Sequence, residues 1–193
     1  MQSWSLEPLV RQRHQAHQLW GPRLDQAVSW LQGSEVLAAD GAVLSWYNED
    51  HPGYPYPEAA GLWLAAYPWF VSWSEPDQLS GLHERADRVA RWLCHQLSPQ
   101  GGVGRDGHIY VFDTAVALAG LIRFVQMRQP VDPIRSQVED AISAAHRFVQ
   151  TSLEERVAMI PHTSSERWSQ RFEAHQLKCT LSLDLYAHRA VIS

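Results

Sequence analysis

The chain has 193 residues, 45% of them hydrophobic and 19% charged, which describes one globular domain with a sizeable core and not a disordered protein. A net charge of −5 leaves no basic footprint, so nucleic acid is not an expected partner. Two cysteines far apart in sequence, Cys94 and Cys179, form no CxxC and read as buried thiols in a reducing compartment, hence a cytoplasmic location.

In chain order, residues 5–20 read as a helix polar on most sides, stopped by Gly21-Pro22. Residues 23–32 form a short amphipathic helix with Leu24, Ala27, Val28 and Leu31 on one side. A loop through Asp40-Gly41 and Trp46-Tyr47 leads to Tyr54-Pro-Tyr-Pro-Glu58, where the prolines hold an extended lead-in and permit a helix start. The helix that follows is apolar nearly all round, through Leu62, Trp63, Leu64, Tyr67, Trp69 and Phe70, with Pro68 expected to kink it or end its regular part. Residues 82–97 form a second amphipathic helix, Gly101 to Gly107 a glycine-rich loop, and 111–127 a second apolar helix. Pro130 and Pro133 open a third amphipathic helix over 134–153, a third loop spans 154–170, and a last inner helix runs from Phe172 to about His188. No segment offers the roughly 20 apolar residues of a membrane span, and the N-terminus lacks a signal-peptide pattern.

This is an internal repeat of amphipathic helix, loop and buried helix. Trp30, Trp92 and Phe148 mark the amphipathic helices at spacings of 62 and 56 residues. Glu58, Asp113 and Glu173 open the buried helices at spacings of 55 and 60, each preceded closely by Tyr56, Phe112 or Phe172. The expected fold is therefore all-α: a single domain with an N-terminal helix over 1–22 and hairpins over about 23–75, 81–129 and 133–190.

Asp25 to Leu31, Asp40-Gly41 and Tyr54-Pro-Tyr-Pro-Glu-Ala-Ala-Gly61 resemble one repeat of the six-hairpin (α/α) toroids. Arg85 to Leu97 with Gly101-Gly102 and Val111-Phe-Asp-Thr114 resembles a second. Proteins of that type include glycosidases, polysaccharide lyases and uronate epimerase-like proteins, with prenyltransferase and squalene-cyclase toroids as a related architecture. The resemblance implies a partial toroid whose inner helices begin around a pocket, with Glu58, Asp113 and Glu173 at its rim. Three hairpins are half of six, so a homodimer or a partner toroid half is expected to complete the ring.

Paired carboxylates across a cleft supply acid and base for glycoside chemistry. The expected catalytic set is Glu58, Asp113, Tyr56 and His108. Trp46, Tyr54, Asp106, Tyr110, His162, Arg167 and Glu173 are expected to contact a small-molecule or glycan substrate, with Trp46, Tyr47 and Trp63 as a stacking platform. The same acids also suit helix N-termini, where the dipole stabilises a carboxylate without any catalytic role. No HExxH, HxH or CxxC spacing occurs, so no metal and no cofactor is expected; a cross-repeat set of His108, Asp113, His162 and His175 is the one geometric alternative. The glycine-rich loop lacks a GK[ST] ending and follows a helix, which excludes a nucleotide P-loop. Two functions stand: an acid–base enzyme acting on a carbohydrate or similar polar metabolite, or a noncatalytic glycan- or peptide-binding fragment that completes a partner.

Overall fold

A computed structural model describes residues 23, 25–45, 50, 53–128, 134–161 and 171–189. The expected N-terminal helix over 1–22 lies outside the described residues. The fold is all-α, as expected, with helices α1 (25–31), α2 (Pro57–Trp73), α3 (Leu79–His95), α4 (Val111–Arg128), α5 (Ile134–Glu154) and α6 (Leu177–Arg189). Three short strands, β1 (Gly104–Arg105), β2 (His108–Tyr110) and β3 (Met159–Ile160), pair antiparallel in the order β1-β2-β3. Helical periodicity does not announce them. No described helix is long and apolar enough to cross a membrane.

α4 is the centre of the molecule. It packs most extensively against α2, then about equally against α5 and α6, and least against α3. Its sequence is almost uncharged after Asp113, and burial takes Val111, Ala115, Ala117, Leu118, Leu121, Ile122 and Phe124 together. The amphipathic helices α3 and α5 each bury one stripe, Leu82, Ala86, Val89, Ala90 and Leu93 in α3 and Val138, Ile142, Ala145 and Val149 in α5. α4 is thus buried along most of its length, whereas α6, expected as a buried inner helix, buries only Cys179 and Ser182.

α2 and α4 approach closely because both are glycine at the crossing. A Cβ on Gly61 would lie 2.7 Å from the Val116 carbonyl oxygen, and one on Gly120 would run into the Gly61 backbone. Two loop glycines with positive φ, Gly41 at 95° and Gly101 at 90°, rest on the backbone of the next outer helix, at Arg88 in α3 and Ala144 in α5. The first and second loops therefore meet the following outer helix in the same way.

Two expectations are corrected by the packing. α2 runs on past Pro68 to Trp73, so the proline does not end it. It is also not buried nearly all round: Pro57, Ala60, Gly61, Trp63, Leu64, Tyr67 and Phe70 cover one half of its circumference, while Leu62 and Trp69 are each 55% exposed. The last inner helix begins at Leu177, after a 3₁₀ turn over Ala174–Gln176, so Phe172 and Glu173 precede it. Of the matched aromatics, Phe148 is buried but Trp30 is exposed, with its indole N–H donating to Glu35.

Candidate functional site

Residues 43–45 and 54–56 zip together ahead of α2. Ser45 N–H donates to the Tyr54 carbonyl and Tyr56 N–H to the Val43 carbonyl, each at 2.9 Å. Alternate residues of an extended segment face the same way, so Tyr54 and Tyr56 stand side by side, ring centres 5.6 Å apart. Pro57 then occupies the first helical position with φ already suited to it, and Glu58 falls in the first turn.

The second loop is fastened to the start of α4 by a buried threonine. Thr114 Oγ1 donates to the Tyr110 carbonyl at 2.7 Å and accepts Val103 N–H at 2.9 Å. Between them Asp106 (φ 53°) and Gly107 (φ 77°) make a two-residue hairpin turn, the Asp-Gly signature of a type I′ turn. Arg105 and His108 are directly opposed across that hairpin and share a face. Arg105 reaches over to the first loop. Its guanidinium carbon lies 5.3 Å from the Tyr54 ring centre and 5.4 Å from that of Tyr56, and Nη1 donates to the Tyr54 hydroxyl.

Asp113, in the first turn of α4, is only 6% exposed. The Tyr56 hydroxyl is coupled electrostatically to both Glu58 and Asp113. Burial, and after it the charge of Glu58, pushes the Asp113 carboxyl up to about 7, against the smaller opposing pull of Tyr56 and Arg105. Burial, followed by the charge of Asp113, raises Tyr56 far above the ordinary phenol range. Tyr56 therefore keeps its proton across the ordinary pH range.

The expected residues separate into three groups. Tyr54, Tyr56, Glu58 and Asp113 converge, and His108 and Tyr110 flank them on β2, half-buried with ring centres 6.3 Å apart. The His108 Nδ1 is buried and has no hydrogen-bond partner. Asp106 is exposed at the hairpin tip, where turn geometry accounts for it. Glu173 is exposed in the turn before α6 and paired with Arg171 at 3.7 Å; α6 has no acid in its first turn, so the third acid of the repeat does not open an inner helix. Trp63 is a core residue, 3% exposed, whose indole N–H donates to the Leu31 carbonyl at 2.8 Å, and it cannot serve as a stacking surface. Trp46, Tyr47, His162 and Arg167 lie outside the described residues, and of the cross-repeat set His108, Asp113, His162 and His175 the side chains of only the first two are described.

Arg105 is the functional candidate the sequence reading missed. The signal was present: an arginine just ahead of Asp-Gly in a hairpin turn is held on the strand face opposite His108. Behind the site, Cys179 is fully buried, its thiol donates to Gln176 Oε1 at 3.1 Å, and burial pushes it up to about 11, which leaves it inert. Cys94 is likewise unbridged and pushed up to about 12 by burial. A cavity of about 610 Å³ lies at the other end of α2, lined by residues of α1, α3 and the turn after α2 and by neither Glu58 nor Asp113.

Chemically the cluster offers a carboxyl that holds its proton near neutrality, a second carboxyl and a neutral phenol beside it, and a guanidinium at the rim. No protein-family model matches the chain, and neither a curated protein nor a solved structure matches it.

Proposed function

We propose that the chain is an acid–base enzyme acting on a carbohydrate or a similar polar metabolite, built as a partial (α/α) toroid. The observation that carries the reading is the convergence of Tyr56, Glu58, Asp113 and Arg105 from two loops, with Asp113 buried and raised to about 7. Asp113 is the proton donor, since it carries a proton where most aspartates have lost theirs. Glu58 is the base, and Arg105 offers bidentate contact to an anionic or hydroxyl-bearing substrate. Perturbation of a carboxyl by burial and a like-charged neighbour is the arrangement that separates an acid from a base at one pH. The unbridged thiols suit a reducing compartment, so the cytoplasm is the proposed location.

A second reading rests on a different observation. Leu62 and Trp69 on α2, with Leu177 and Leu181 on α6, are 55–69% exposed. Large apolar side chains exposed in that number on two helices favour association, either as a homodimer or with a partner toroid half. Sedimentation equilibrium tests it: a dimer that Leu62→Glu with Leu181→Glu dissociates supports association, and a wild-type monomer at high concentration rejects it.

The enzyme reading is tested with a panel of neutral and acidic oligosaccharides, scoring reducing-end release, absorbance of unsaturated products and mass change. Glu58→Gln and Asp113→Asn should each lower turnover by about 100-fold or more, the usual worth of a positioned acid or base. Folded variants that turn over at the wild-type rate would remove both residues from the chemistry.

A further inference from the structure

Thr114 is fully buried in the first turn of α4, next in the chain to Asp113. A threonine there commonly turns its hydroxyl back on the carbonyl four residues earlier, and Thr114 does so with Tyr110 at 2.7 Å. Its second bond is not local. Val103 N–H, 11 residues back, donates to the same oxygen at 2.9 Å. A hydroxyl has one proton to give and lone pairs that accept, so one oxygen serves both partners at once.

Val103 is itself buried and leads straight into β1. The rest of the hairpin base is tight. Tyr110 N–H donates to the Val103 carbonyl at 3.0 Å, and a Cβ on Gly104 would lie 1.8 Å from the His108 carbonyl oxygen. β2 is paired in turn to β3. Arg105 thus stands one residue beyond Gly104, on a strand whose inner end is tied to Thr114. Its guanidinium crosses to Tyr54 and Tyr56, and its charge acts on Asp113.

We propose that Thr114 is a positioning residue of the site: its hydroxyl fixes Val103 and, through β1, holds the Arg105 guanidinium over Tyr54 and Tyr56 and beside Asp113. The adjacency of Asp113 and Thr114 then sets the carboxyl and the cation from one turn of α4. This role rests on the proposed site for its residues and not for its reaction, and it is read out without turnover. A failure to find turnover would reject the enzyme and leave the role standing.

NMR of labelled protein reads two signatures: the ring-current shift that Tyr54 and Tyr56 impose on the Arg105 δ-methylene protons, and the titration midpoint of Asp113. The groups facing Asp113 are Glu58, Tyr56, Arg105 and, from α6, the Cys179 thiol, which burial keeps protonated. Among these described groups Arg105 carries the positive charge, so its withdrawal moves the midpoint up. Thr114→Val keeps the shape and lacks the oxygen; it should lose the ring-current shift and raise the midpoint. Thr114→Ser restores the oxygen and should keep both signatures. Arg105→Ala should raise the midpoint as Thr114→Val does, and the double variant should raise it no further, because both changes remove one contact. If Thr114→Val does not fold, Thr114→Ser carries the test: kept signatures support the hydroxyl as the tie, and lost ones overturn it. Wild-type signatures in a folded Thr114→Val, their loss in Thr114→Ser, or midpoint effects of Thr114→Val and Arg105→Ala that add would each overturn the assignment.

Discussion

Replacing Asp113 by Asn should stabilise the protein at alkaline pH and do so progressively less as pH falls. A carboxyl raised from its ordinary 3.8 to about 7 costs on the order of 4 kcal/mol to ionise in place, at about 1.36 kcal/mol for each tenfold in proton affinity. The sign follows from the folded state holding a proton that the unfolded chain has already released. Stability is therefore full below about pH 4, falls as pH rises towards 7, and is lowest above 7, where Asp113 must be charged beside Glu58. Asn has the same shape and no charge, so above pH 7 it escapes that cost, less about 1 kcal/mol for a buried amide that is imperfectly hydrogen-bonded. A net gain of about 2–3 kcal/mol corresponds to roughly 5–10 °C in melting temperature for a chain of this size. Calorimetric melting of wild type and Asp113→Asn at pH 5, 6.5 and 8 reads the trend. A variant less stable than wild type by the same amount at all three values would show Asp113 acting only as a helix-terminal hydrogen-bonding group. The cost of keeping it charged would then be absent.

Two further outcomes follow from the packing. Gly120→Ala places a methyl against the Gly61 backbone, which cannot swing aside as a side chain would, and should cost about 3 kcal/mol or more in chemical denaturation. Tyr67→Phe removes a fully buried hydroxyl hydrogen-bonded to His83 Nδ1 at 2.5 Å, and should cost about 1–3 kcal/mol.

The helices were legible because their apolar spacing is set by burial of one stripe or two. Leu82, Ala86, Val89, Ala90 and Leu93 spell out α3, and the uncharged run after Asp113 spells out α4. The exposed half of α2 was not legible. Leu62 and Trp69 carry the same apolar chemistry as Leu64 and Tyr67, and only the position of α4 decides which pair is covered. Glu173 shows the limit of repeat matching: it keeps the acid and the preceding phenylalanine, but a 3₁₀ turn delays the helix past it. In the site, Tyr54, Tyr56, Glu58 and Asp113 could be read from two aromatic-acid helix starts. Arg105 could not be read from helical spacing, because a strand hairpin and the Thr114 tie, not a helix, bring it across to the tyrosines.

The central claim is that Asp113 keeps its proton close to neutrality because it is buried beside Glu58. Carbon-detected NMR titration of labelled aspartate, with the Asp113 signal assigned by its loss in Asp113→Asn, measures this directly. The account predicts a midpoint of about 7 in the wild type. In Glu58→Gln the midpoint should fall with the loss of the neighbouring charge, yet stay above the ordinary 3.8 because burial is the larger cause. A wild-type midpoint at or below about 4, unmoved by Glu58→Gln, would contradict it.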